Sequence, residues 1–290
     1  MTCVWMARLI ACLGLPASAS LVVADFEAVT DNAALLNTGG GSGFSGNWGP
    51  SSTVGANTSR IKYDVDANLS YSGGGYAITQ TGTGNAYGDF NAFRGINRTL
   101  NPDLTGEVWF SLLVRTVTAN GHAGLQLNNH ADSPFTGQDY NRGAFDVGIR
   151  ADQLEVRYGS VTSGNLLPLS AGETHLLLGR LVFEDNGVND RLDVWADPAD
   201  LSSLGLPAFS ANSANLGAQL FLAGVFAYGS LDQTNAYNAA VDALRISDGG
   251  GNPVTAYFEV TGVMVPEPST LALLLAALPF LRRRSAGPAQ

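Results

Sequence analysis

Through the middle of the chain apolar and polar residues alternate with a period of two in short runs, at 107–116, 143–150, 153–158, 174–184, 191–196, 219–228 and 239–247. Period two belongs to a strand, whose successive side chains leave opposite faces; a helix would need a period near 3.6. In one run Phe145, Val147 and Ile149 share a face while Asp146 and Arg150 share the other; in another, Leu192 and Val194 oppose Arg191, Asp193 and Trp195. Each strand is expected to pack one face on a core and turn the other to water. Asp185-Asn186-Gly187 separates the strand ending at Glu184 from that beginning at Arg191, and its φ-permissive residues suit a hairpin turn. The spacing predicts an all-β fold, a two-sheet antiparallel β-sandwich. Helical periodicity is nearly absent, its best stretch being 197–204, one or two turns long. The Gly/Ser/Asn-rich stretch 37–59 reads as a long surface loop, and no internal repeat is visible.

The two ends follow other patterns. Arg8 is followed by the apolar residues 9–15, Pro16 and Ala17-Ser18-Ala19, which is the order of a secretory signal peptide, with a mature start at Ser20. Leu9-Ile10-Ala11-Cys12 also reads as a lipoprotein processing box, although it follows Arg8 directly and leaves no apolar region ahead of the cysteine. At the other end Val265-Pro266-Glu267-Pro268 precedes the almost wholly apolar 271–281, and then Arg282, Arg283 and Arg284. The two prolines stiffen an extended peptide that an enzyme can read as a strand. The apolar stretch enters a bilayer, with the arginines kept cytoplasmic. Residues 269–281 reach only about 20 Å as a helix, short of a hydrocarbon core of about 30 Å, which suits a transient anchor better than a permanent one.

Residues 265–284 closely resemble the PEP-CTERM sorting segment of Gram-negative bacteria. The resemblance implies recognition of Pro266, Glu267 and Pro268 by an exosortase, a transmembrane stretch at 271–281, and a membrane stop at Arg282, Arg283 and Arg284. It further implies export by signal peptidase and the secretion machinery, a transient inner-membrane anchor, and a final place on the cell surface or in an exopolysaccharide matrix. The chain then divides into a signal peptide (1–19), a sandwich domain (20–262) and a sorting segment (263–290) with a C-terminal hydrophobic helix.

Composition narrows the classes of function. Of 290 residues only 14% are charged, against about 25% in an ordinary globular chain, while 45% are hydrophobic and 35 are glycine. Coiled coils, helical bundles and charged disordered tails are excluded. The formal net charge is −10, and the basic residues are scattered except at 282–284, so nucleic acid is not an expected partner. Both cysteines, Cys3 and Cys12, lie in the segment expected to be removed, so a large core must supply the stability.

Within the body, Gly43-Phe44-Ser45-Gly46-Asn47-Trp48, the run from Trp109 to Arg115, Leu181-Val182-Phe183, the run from Leu192 to Pro198 and the run from Val241 to Ile246 together resemble laminin-G/concanavalin A-like jelly rolls. Glycan processing is the enzymology that this resemblance most readily implies, and it needs two carboxylates about 5–9.5 Å apart. The family's Glu-x-Asp-x-x-Glu strand motif is missing, and Glu107, Glu155, Glu173 and Glu184 are each isolated. There is no Gly-x-Ser-x-Gly elbow, and His122, His130 and His175 lie apart and read as ordinary strand or loop residues. The chain is therefore read as non-catalytic, a glycan-processing enzyme with an unrecognised site being the alternative.

Sugar contact would use aromatic faces on a solvent-facing sheet. Trp109 shares its strand face with Ser111 and Arg115, and Trp195 shares its own with Arg191 and Asp193; Trp109, Arg115, Asp193 and Trp195 are the candidate glycan-binding residues. The competing expectation is that both tryptophans pack beneath loops or a sheet edge. Calcium is the candidate cofactor, with Asp25 and Glu27 on the first strand and Asp242 on the last as its candidate ligands. Asp185, Asn186, Asn189 and Asp190 are a second candidate calcium cluster, with hairpin-turn chemistry as the competing expectation.

The sorting assignment has a direct test. In an exosortase-bearing host, Glu267→Ala should accumulate an uncut, membrane-held form on fractionation and immunoblotting, and release at the wild-type rate would defeat the assignment.

Overall fold

In the strand Glu107–Thr116 every residue from Val108 to Val114 is buried, so this strand has a covered face on both sides. The rest of the architecture follows from how those two faces are covered. The computed structural model describes residues 20–24, 26, 33–50, 61–64, 69–73, 76–78, 85–88, 94–117, 121–129, 144–150, 152–159, 161–163, 166–184, 188–228 and 239–264. Its strands are β1 (Leu21–Ala24), β2 (Phe44–Pro50), β3 (Ile61–Asp64), β4 (Tyr71–Gly73), β5 (Tyr76–Ile78), β6 (Asn85–Gly88), β7 (Arg94–Thr105), β8 (Glu107–Thr116), β9 (His122–Asn128), β10 (Ala144–Arg150), β11 (Gln153–Tyr158), β12 (Val161–Ser163), β13 (Thr174–Val182), β14 (Asp190–Ala196), β15 (Phe209–Ala214), β16 (Gln219–Tyr228) and β17 (Ala239–Ser247), followed by one helix, α1 (Pro253–Thr261).

Two antiparallel sheets hold these strands in the arrangement of a jelly-roll sandwich. The first runs β15-β14-β13-β8-β17-β6-β3 with β1 also on β17, the second β12-β11-β10-β9-β16-β7-β2, and β4 and β5 form a separate hairpin. The inward faces meet in one core: Val108, Phe110, Leu112 and Val114 of β8 face a layer containing Leu125 and Leu127 of β9 and Phe145, Val147 and Ile149 of β10. Phe110 and Phe145 touch across the layer at 5.9 Å between centroids. Gly179, in the middle of β13, makes room for this: a Cβ there would stand 2.0 Å from Cζ of Phe110.

The expected strands are present, with β8, β11, β16 and β17 matching their predicted bounds. Three expectations are corrected. The stretch 37–59 is not simply a loop, because β2 lies within it and pairs with β7. Trp48 is its anchor, buried between Phe26 at 5.7 Å and Phe44 at 5.4 Å. The Arg98 guanidinium lies over the Phe44 ring at 4.6 Å and donates to the carbonyl of Gly46 at 2.6 Å. Residues 197–204 form turns, not a helix. The helix instead lies after the last strand, with Asn252 capping it by accepting from the amides of Val254 and Thr255, Pro253 opening it, and Gly262 closing it at φ 73°.

The third correction concerns the faces turned to water. A second apolar cluster covers the outer side of the first sheet, where α1 and the segment after β14 bring Ala256, Tyr257, Val260 and Leu201 onto Trp109, Leu113, Leu178 and Trp195. The sandwich thus has a third layer on one side. Asp185, Asn186, the signal segment 1–19 and residues 265–290 of the sorting segment lie outside the described residues. No helix among the described residues is long and apolar enough to cross a membrane.

Candidate functional site

Antiparallel register sets Trp109, Arg180, Asp193 and Ser210 in one row across β8, β13, β14 and β15. Trp195 stands one row along, and its ring stacks on that of Trp109 at 5.8 Å and 18°. Tyr257 of α1 meets Trp109 edge-on at 4.8 Å. Both tryptophans are therefore largely covered, at 6% and 8% exposure, and their faces do not form an open platform. The indole of Trp195 donates to the carbonyl of Gly205 at 2.9 Å, the Tyr257 hydroxyl donates to the carbonyl of Leu201, and the Ser111 hydroxyl donates to the carbonyl of Val260 at 2.8 Å. These bonds fasten the third layer to the sheet.

One edge of the pair remains accessible. A pocket of about 410 Å³ opens between the start of β8, the turn after β14 and the first turns of α1, lined by Glu107, Trp109, Ser202, Ser203, Leu204, Pro253, Val254 and Tyr257. The Trp109 indole donates to Oε1 of Glu107 at 2.8 Å, and the Ser202 hydroxyl donates to Oδ1 of Asp200 at 2.7 Å. An aromatic and aliphatic wall with a carboxylate and hydroxyls at its rim can hold a ring that is apolar on its faces and polar at its edge.

The other sequence candidates lie elsewhere. Asp193 is fully buried, accepting from Arg180 at 2.7 Å, Arg191 at 3.0 Å and Ser210 at 2.7 Å. Burial alone would raise its carboxyl, but these partners outweigh burial and hold it below the ordinary carboxylate range. Arg180 also lies over the Trp109 ring at 5.6 Å, so Asp193 positions the ring's neighbour. Arg115 sits at the far end of β8, opposite Thr174 and Ala240, and is not brought to Trp109.

Of the calcium candidates, Asp25 and Glu27 lie outside the described residues. The strands expected to carry them do meet, with Ala24 of β1 opposite Leu244 of β17. Asp242 is buried, and its two oxygens accept from the amides of Leu69 at 3.0 Å and Ala243 at 2.8 Å. Among the described residues no three His, Cys, Asp or Glu side chains converge as metal ligands. The amides of Glu184 and Leu216 bond to Asp190, so the described part of the second acidic cluster closes backbone rather than presenting oxygens to an ion.

The outward face of the second sheet carries a feature that the sequence reading missed. Register aligns Thr162, Arg157, Asp146, Gln126, Gly224 and Asn97 in one row, Glu155, Gly148, Gly124 and Phe226 in the next, and Gln153, Arg150 and His122 in a third. His122, Gln126, Asn128 and Asp146 are all buried, an unusual concentration of polar groups for one sheet face. A Cβ on Gly124 or Gly148 would stand 2.3 Å from the Val147 carbonyl oxygen or 2.5 Å from that of Ala123, and 2.6 or 3.0 Å from Cζ of Phe226, whose ring lies across both. His122 packs edge-on against that ring at 4.7 Å. Burial first, and then the charges of Arg150 and Arg157, depress His122 to about 3, so its imidazole is neutral at physiological pH. Glu155 accepts from Arg157 at 2.8 Å and from Arg150 at 3.4 Å. The available signal was the period-two alternation of Ala123, Leu125 and Leu127 with His122, Gln126 and Asn128.

No protein-family model matches the chain, and no curated protein matches it. Among solved structures it is similar to alginate lyase Aly36B, at 12% identity and a TM-score of 0.41, over 78% of this chain and 96% of that one. It is similar also to lectin II from Ulex europaeus, at 9% identity and a TM-score of 0.38 over 59% of this chain and 88% of that one. A third is a prokaryotic β-1,3-1,4-glucanase (lichenase) derived from a mouse hindgut metagenome, at 8% identity and a TM-score of 0.36 over 79% of this chain and 98% of that one.

The two buried histidines give stability opposite pH slopes. His122 is depressed from 6.5 to about 3, so the unfolded chain takes up its proton first and stability falls as pH drops from about 6.5 toward 3. His175 is also pulled down by burial, but its 2.5 Å contact with Asp197 and its bond to the Ser170 carbonyl outweigh this and raise it above 6.5. Its contribution is complete below 6.5 and is lost as pH rises through the raised value. Urea unfolding across pH should show His122→Gln flattening the acid limb and His175→Gln flattening the alkaline limb; the reverse assignment would contradict these environments.

Proposed function

We propose that this is an exported protein, delivered by the signal segment 1–19 and sorted by an exosortase at Pro266, Glu267 and Pro268, whose sandwich serves a structural or adhesive, non-catalytic role on the cell surface or in the exopolysaccharide matrix. The terminal motif in its order of Pro-Glu-Pro, apolar stretch and arginines supports the sorting, and sorting of this kind implies a polysaccharide-rich destination. We infer that glycan is touched at the pocket beside Trp109. The observation that carries this is the pairing of a Trp109 and Tyr257 wall with Glu107, Ser202 and Ser203 in a pocket of about 410 Å³, within the ~300–1,000 Å³ span of small-molecule sites. Pyranose C–H faces suit the rings, and pyranose hydroxyls suit the rim. The finer concanavalin A-like assignment belongs to the same proposal and rests on the sequence resemblance.

A second reading, a glycan-processing enzyme, is favoured by the neutral His122 lying opposite Arg150 on the second sheet and within reach of the charge of Arg157. Affinity electrophoresis of the full chain in detergent, through gels containing the host's exopolysaccharide, separates the two. The first reading predicts retardation that is lost in Val254→Trp, which fills the pocket from the first turn of α1, and no shortening of the polymer. Shortening of the polymer that is lost in His122→Ala would favour the second reading. Migration unaffected by the polymer would contradict glycan contact.

A further inference from the structure

The Ser203 hydroxyl apart, which can donate or accept, the pocket beside Trp109 offers hydrogen-bond acceptors. Among the described residues Glu107 is its one carboxylate, and no lysine, arginine or histidine lines it. Oε1 of Glu107 already accepts from the Trp109 indole at 2.8 Å, which orients the carboxylate and leaves Oε2 for a second donor. The amide and hydroxyl of Ser202 both donate to Oδ1 of Asp200, at 2.8 and 2.7 Å, so toward a ligand that hydroxyl acts through its lone pairs. The start of α1 supplies no anion site, since the Asn252 side chain takes the amides of Val254 at 2.9 Å and Thr255 at 3.3 Å. The guanidinium of Arg180, over the Trp109 ring, is held by Asp193 through two bonds at 2.7 and 3.2 Å. The walls beside these acceptors are aliphatic or aromatic: Leu204, Pro253, Val254 and the two rings.

We propose that this pocket takes an amino sugar, a pyranose whose protonated amine pairs with Glu107 while its C–H face lies against Trp109 and Tyr257. An ammonium brings three donors and no acceptor, the complement of the lining, whereas a uronate would bring a second negative charge beside Glu107 in a chain of net charge −10. This inference rests on the reading of the pocket as the glycan contact and adds the class of sugar.

The test is calorimetric titration of the full chain in detergent near pH 6 with three probes: a glucosamine trimer bearing free amines, cellotriose and trigalacturonate. The glucosamine trimer is expected to bind about tenfold or more tightly than cellotriose, a gap of about 1.4 kcal/mol, with no heat from trigalacturonate. Glu107→Gln keeps an acceptor for the Trp109 indole and should bring the glucosamine trimer to within about twofold of cellotriose. Equal binding of the amino and neutral trimers, preference for trigalacturonate, or a preference for the amine that survives Glu107→Gln would overturn the amino-sugar assignment and leave the pocket as a glycan site. No binding of any probe, or binding undiminished in Val254→Trp, would overturn the pocket reading itself.

Discussion

The stack of Trp109 on Trp195 is the contact on which the outer side of the first sheet depends. Two indoles placed on a sheet face opposite the main core leave a large apolar area that water would otherwise cover, about 150–250 Å² for each ring. The chain resolves this by adding a layer. Tyr257 closes edge-on over Trp109, and the turn carrying Leu201 folds over beside it, held by the Tyr257 hydroxyl and by the Trp195 indole on Gly205. With the layer in place β8 is buried on both faces, and the pocket is the remaining gap at its margin, where the edge of Trp109 comes out beside Glu107.

Buried aspartates fix the geometry around that layer. Asp193 draws Arg180, Arg191 and Ser210 together and so sets the guanidinium that lies on Trp109. Asp242 closes a bulge in β17 by accepting from Leu69 and Ala243, the latter at a φ of 49°. Asp248 accepts from the amides of Ser20 and Gly250, tying the described start of the chain to the turn before α1. In a chain with so few charges Asp242 and Asp248 serve as backbone acceptors at chain crossings, while Asp193 is satisfied by two guanidinium groups and a hydroxyl.

Much of the sandwich was legible because period two survives wherever one face is buried. Phe145, Val147 and Ile149 against Asp146 and Arg150 fixed the parity of β10, and the placement of Trp109 and Trp195 on the non-core face was likewise readable from their neighbours. What covers that face was not readable, because it arrives from distant sequence. The residues of α1 include Val254, Thr255, Tyr257, Phe258 and Val260, branched or aromatic types that read as strand; only its caps, Asn252, Pro253 and Gly262, signalled a helix. The strand β9 was hidden by Gly124, Gln126 and Asn128, residues of low strand preference that tertiary burial overrides. In 37–59 the glycines and asparagines outweighed Phe44 and Trp48, whose burial with Phe26 decides the local structure.

The central claim is that α1 belongs to the folded unit as the roof of the tryptophan pair. Urea unfolding of Tyr257→Ala in the full chain, followed by tryptophan emission and far-ultraviolet circular dichroism together, tests it most directly. The account predicts a loss of about 3–5 kcal/mol with both signals still changing in one transition. A loss under about 1 kcal/mol, with helix signal disappearing in a separate step at low urea, would contradict it.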